Sequence, residues 1–165
     1  MAHCVVTTER MQAEYDGTKR YAVKFNVDTD NGLIFKLGDL VEGEREVYSI
    51  SDAIAGTDLV GDLVLITTPE VMADPRMQGL GDFYNKKDSV GAGTLLCERD
   101  IFSVTAEGIA NISDLSTKKY ATVTAGGKIT LDTAATNAFA QYVDTNQGKY
   151  AFRVLKRPDA VGSGE

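Results

Sequence analysis

Residues Tyr21 to Ile50, YAVKFNVDTDNGLIFKLGDLVEGEREVYSI, constrain the fold more than any other stretch, because apolar residues alternate with polar ones on both sides of an Asn-Gly step. Tyr21, Val23, Phe25 and Val27 fall on one side of an extended chain, and Leu33, Phe35 and Leu37 resume the alternation until Gly38. A period of two marks a strand with one face buried. Asn31-Gly32 predicts a two-residue hairpin turn between the runs, since both residues tolerate the positive φ of a type I′ turn. Gly43, among acidic residues, predicts another turn before Val47, Tyr48 and Ile50, giving three strands.

The rest of the chain adds strands to these. Leu63 to Thr68 is short, apolar and stopped by Pro69, which predicts a central strand buried on both faces. Thr94 to Ala106 predicts an extended segment with Ile101, Phe102 and Val104 in the core and Asp100 at its turn. Tyr120 to Thr124 and Lys128 to Leu131, separated by Gly126-Gly127, predict a hairpin. Ala135, Phe139 and Val143 at spacing four predict a short helix over 133–143, and a final strand follows over 149–155. With seven or eight short strands, one short helix and no strand-helix alternation, the fold class expected is mainly β, an antiparallel barrel or sandwich with a long central loop. The expected organisation is an N-terminal arm or edge strand over 1–20, one β-rich domain over 21–157 and a loose tail over 158–165.

Catalytic and metal-binding patterns are thin. His3 is the single histidine, so a Ser-His-Asp or Cys-His arrangement would have to recruit a residue beside the N-terminus. Cys4 and Cys97 lie far apart and are expected as free thiols. Asp28-Thr29-Asp30-Asn31-Gly32 offers hard oxygen ligands, but a calcium loop wants its glycine one residue later and a glutamate where Asp39 stands. Ala125-Gly126-Gly127-Lys128 resembles a phosphate loop superficially, with Thr122 in place of the first glycine and Ile129 in place of the magnesium-binding hydroxyl. These readings exclude an enzyme and any cofactor or metal from the expectation. A net charge of -7 disfavours a grip on phosphate backbones, and the lysine-aromatic pairings at Lys118-Lys119-Tyr120 and around Phe83-Tyr84 are too sparse to offset it. No apolar run approaches the ~20 residues needed to span a bilayer, and MAHCVVTTERMQ lacks the pattern of a signal peptide. The expectation is a protein made in a reducing cytoplasm.

Pro69 to Gly93 loses the strand pattern and carries glycine, methionine and charge, and a connection this long in a compact domain is usually functional or mobile. A helical turn is expected around Glu70 to Met72. Met72, Met77, Leu80, Phe83 and Tyr84 are the candidate contact residues of this loop, and Val5 and Val6 those of the N-terminal segment. The alternative for the loop is that these side chains cover the barrel's own end.

Three stretches in order, DNGLIFKLGDLVEGEREVYSI, LITTPEVMADPR and GTLLCERDIFSVTAEGI, resemble the head decoration, or capsid-stabilising, proteins of tailed bacteriophages. The likeness lies in the N-G turn, the K-L-G strand end, the G-E-R-E-V-Y and T-P-E-V-M stretches and the later I-F-S-V-T strand. It covers about Asp30 to Ile109 and, more loosely, Tyr150 to Leu155, with nothing comparable over residues 1–20. The chain departs from the pattern at Glu98-Arg99-Asp100, where a Gly-Asp pair is usual. The resemblance implies a non-enzymatic virion protein on the outer capsid surface, with the major capsid protein as partner, and a homo-oligomer, in such proteins often a trimer. Competing readings are a tail or neck component, or a small barrel that binds a ligand or single-stranded nucleic acid.

Overall fold

The computed structural model describes residues 2–53, 62–71, 73–76, 79–135 and 138–155, the side chain of Glu9 excepted. Eleven strands occupy the described residues: β1 Val6–Arg10, β2 Arg20–Lys24, β3 Ile34–Leu40, β4 Val47–Asp52, β5 Leu63–Ile66, β6 Val90–Leu95, β7 Ile101–Thr105, β8 Tyr120–Val123, β9 Ile129–Asp132, β10 Ala140–Asn146 and β11 Lys149–Val154. They form a mainly β fold with two layers. Strands β2-β4-β3-β5-β6 close into a barrel, and β1-β7-β11-β10-β8-β9 form a six-stranded sheet against it.

Alternation explains both layers. Along β5, Val64 and Ile66 enter the barrel interior with Val23, Phe25, Leu33, Phe35 and Ile50, while Leu63 and Leu65 face the sheet. All four residues are therefore buried, which is why this strand reads as an unbroken apolar run. Ile34 likewise joins the core between the layers, beside Phe102, Val104, Phe139 and Phe152. Phe102 stacks on Phe139 and Phe152 with ring centroids 6.4 and 6.0 Å apart.

Several sequence expectations are corrected. β2 and β3 are not hairpin partners: β4 lies between them, parallel to β2 with Ala22 opposite Val47 and antiparallel to β3 with Leu37 opposite Ile50. Asn31-Gly32 still makes a turn, with Gly32 at φ +83°, but Asn31 is a buried fastener rather than a hairpin corner. Among the described residues the helix expected over 133–143 does not form: Ala140 to Val143 belong to β10, with Ala140 opposite Ala121 and Val154. Ala135, Phe139 and Val143 mimicked a helical face, yet Phe139 is buried while Ala135 and Val143 are exposed. No helical turn forms at Glu70 and Val71, where the Val71 N–H donates to the Pro69 carbonyl at 2.9 Å, and Met72 lies outside the described residues. The 94–106 segment divides between the layers, β6 in the barrel and β7 in the sheet. The crossing is held by buried Asp100, whose carboxylate accepts the Cys97 and Gln12 N–H groups at 2.8 and 3.1 Å. The glycine hairpin joins β8 to β9 as read, with Gly126 and Gly127 both at positive φ.

The sheet's two edges differ. At β9, the Asn111 side chain imitates a strand partner, accepting the Leu131 N–H at 2.8 Å and donating to its carbonyl at 3.1 Å. At the other edge, β1 pairs with β7 and carries a bulge between Thr8 and Arg10, a device that discourages further strand addition. Cys4 and Met11, on either side of β1, are buried in the core between the layers.

Candidate partner-binding surface

One end of the barrel collects the end of β2, the start of β3, the ends of β4 and β5 and the start of β6. The connections at this end, Phe25 to Leu33 and Thr67 to Ser89, form its surface. A buried polar network fastens them together. Thr29 and Asn85 exchange both main-chain hydrogen bonds at 2.8 Å. The Asn31 side chain donates to the Thr68 carbonyl at 2.8 Å and accepts from the Thr68 N–H at 3.2 Å, while Asn85 Nδ2 donates to Asn31 Oδ1 at 3.1 Å. Asn31, Asn85 and Thr29 are buried, so losing a partner would leave a desolvated polar group at a cost of about 1–3 kcal/mol. The long loop is thus anchored at Asn85, near its C-terminal end.

The N-terminus joins the same end. The His3 N–H donates to the Gly81 carbonyl at 2.8 Å, and the His3 ring stacks on Tyr84 at 4.9 Å. His3 Nδ1 lies 2.7 Å from Asp30 Oδ1, and Asp30 Oδ2 accepts the Cys4 N–H at 3.2 Å. The two segments chosen as contact candidates from sequence are therefore brought into one neighbourhood. Their individual residues fare differently. Val5 is 9% exposed and Phe83 7%, so both are buried. Val6 is half-buried against the core, Tyr84 is half-buried under His3, and Leu80 is 56% exposed. Met72 and Met77 lie outside the described residues.

Three depressions follow one another around this end. A groove of about 450 Å³ runs between Val71 and Val90 past Tyr84. Tyr84 also borders a groove of about 590 Å³ holding His3, Asp30, Glu107 and Lys128. Asp28 borders that groove and a pocket of about 370 Å³ at the barrel mouth. Along this belt the carboxylates Asp28, Asp30, Asp52, Asp74 and Glu107 outnumber the lining cations Lys86 and Lys128, with His3 beside them. Arg76, bonded to Asp74 through both side chain and main chain, holds that carboxyl below the usual range, and the Thr105 hydroxyl does the same for Glu107. The surface is accordingly anionic, with apolar patches at Val71, Leu80, Val90 and Val27.

Sequence reasoning missed Val27, Val71 and Val90. Val27 sat on the alternating face of a strand that in fact ends at Lys24, and Val90 at the start of an unrecognised one. Among the described residues no three His, Cys, Asp or Glu side chains are placed to share a metal ion. Cys4 is buried, and burial pushes its thiol up to about 11, away from nucleophilic use at neutral pH.

No protein-family model and no curated protein sequence matches the chain. Among solved structures it is similar to the N base of the head fiber gp8.5 of bacteriophage phi29, with 13% identity, a TM-score of 0.44 and coverage of 83% of this chain and 92% of that one.

Proposed function

We propose that this chain is a non-enzymatic structural protein of a tailed-phage virion, which binds the outer surface of the head through the fastened barrel end and stabilises the shell. The observation that carries the reading is the barrel end itself: Val71 and Leu80 are exposed on a loop whose base is held by buried hydrogen bonds, and Val90 is exposed at the start of the strand that follows it. Apolar side chains held on an ordered scaffold bind with less loss of conformational freedom than the same residues on a free loop. The sequence resemblance adds to this, because its T-P-E-V-M stretch contributes Thr68, Pro69 and Val71 to the groove wall. The partner in this reading is the major capsid protein, and the protein acts as a homo-oligomer on the lattice. A protein that binds only the assembled shell shifts the equilibrium toward that shell, so stabilisation follows from selective binding without catalysis.

The test is co-sedimentation of purified protein with mature heads stripped of it, followed by heating. Saturable binding that raises the disruption temperature of the heads supports the assignment. Absence of binding to heads, with binding to tails instead, transfers the protein to the tail.

A further inference from the structure

We infer that the barrel mouth is a docking pocket for a partner segment carrying one large apolar side chain beside a lysine or arginine. The pocket of about 370 Å³ opens directly onto the barrel interior. Its floor is Leu33, Phe35 and Ile50, which belong to the barrel's own core yet reach the surface. Barrel mouths and junctions between layers are preferred positions for such sites, and this pocket is both: the β8–β9 turn closes one side, with the Gly127 carbonyl accepting the Ile34 N–H at 2.9 Å. Gly127 can lie there because it lacks a side chain. A Cβ in its place would stand 2.9 Å from the Phe35 ring.

The rim specifies the charge of the occupant. Asp28 and Asp52 stand on it, and no lysine or arginine lines the pocket. Both carboxylates are held in place by the main chain: Asp28 Oδ1 accepts the Lys87 N–H at 2.8 Å and Asp52 Oδ1 the Gly126 N–H at 3.2 Å. A carboxylate accepts several hydrogen bonds, so each can also receive an ammonium or guanidinium group. Val27, exposed on the wall, supplies a further apolar contact for the anchoring side chain. An apolar floor beneath an acidic rim fits an apolar anchor next to a cation and opposes an anchor next to an anion. This inference holds for any partner of that composition and does not depend on the virion assignment.

The experiment is an amide-resolved NMR titration of the intact protein with three probe peptides: acetyl-Gly-Phe-Lys-Gly-amide, acetyl-Gly-Phe-Glu-Gly-amide and acetyl-Gly-Ala-Lys-Gly-amide. The Phe-Lys peptide should shift the Val27, Ile50, Ser51 and Gly126 amides saturably. The Phe-Glu peptide should bind about fivefold more weakly, and the Ala-Lys peptide should not saturate. The paired changes Asp28→Asn and Asp52→Asn keep an acceptor oxygen for each main-chain N–H and should bring Phe-Lys binding down to the Phe-Glu level. Equal binding of the Phe-Lys and Phe-Glu peptides, equal binding of the Ala-Lys peptide, or shifts confined to other surfaces would each overturn the proposal, and the wild-type comparison decides it even if the variant does not fold.

Discussion

The core between the layers and the core inside the barrel are both apolar, yet they are finished differently. Between the layers, Phe102, Phe139 and Phe152 have no exposed surface, and Phe102 stacks on both of the others. Inside the barrel, Leu33, Phe35 and Ile50 keep 8%, 6% and 8% of their surface at the mouth. A sealed core gives up all of its apolar surface to folding, whereas an open one leaves some for a partner. On the docking proposal, the first core supplies stability and the second also offers a recognition site.

Substitutions can break or sharpen that contrast. The largest effect is expected for Phe152→Ala, which leaves a cavity in the sealed core and should cost about 3–5 kcal/mol in chemical denaturation. Phe35→Ala should cost less, about 2 kcal/mol, because the space it leaves adjoins the open mouth and admits solvent. Equal losses at the two sites would show that the barrel is sealed too. Asn31→Ala should cost about 1–3 kcal/mol, since it strands the Thr68 and Asn85 groups that it now satisfies. Its effect should be local: hydrogen exchange should quicken at Thr68 and Asn85 and stay unchanged in β10 and β11. Uniform quickening would mean that the fastened end and the sheet unfold as one unit. The smallest effect is expected for Val71→Asp and Leu80→Asp, whose exposed side chains should each change stability by less than about 0.5 kcal/mol.

Local patterns in the sequence revealed most strands but not their neighbours. Alternation over Tyr21 to Leu37 and the Gly126-Gly127 turn report what a strand does to its own side chains, and both were legible. That β4 inserts between β2 and β3 depends on contacts across the barrel, which no local pattern records. Asn31-Gly32 shows the limit well. Its turn propensity is real, but the Asn31 side chain is spent on Thr68, 37 residues away. Spacing of four in Ala135, Phe139 and Val143 arose by coincidence in a segment where strand pairing with Ala121 and Val154 prevailed. Of the proposed site, the 69–93 segment stood out in the sequence because its composition departs from that of strands, whereas the N-terminal segment contains β1. Which residues point outward was not legible, because Phe83 and Leu80 are equally apolar and only tertiary packing separates them. A deletion of residues 2–16 would remove β1 and the core side chains Cys4, Val5, Met11 and Ala13, so it would probe folding rather than partner contact. Point substitutions are the sounder probe.

The most direct test of the account compares head binding by two variants in co-sedimentation. One carries Val71→Asp and Leu80→Asp on the barrel end, and the other carries Val143→Asp on the sheet, where the side chain is also exposed. The account predicts binding weakened about tenfold or more by the first and unchanged by the second. Unchanged binding by the barrel-end variant, with loss in the sheet variant, would contradict it and move the recognition surface to the other layer.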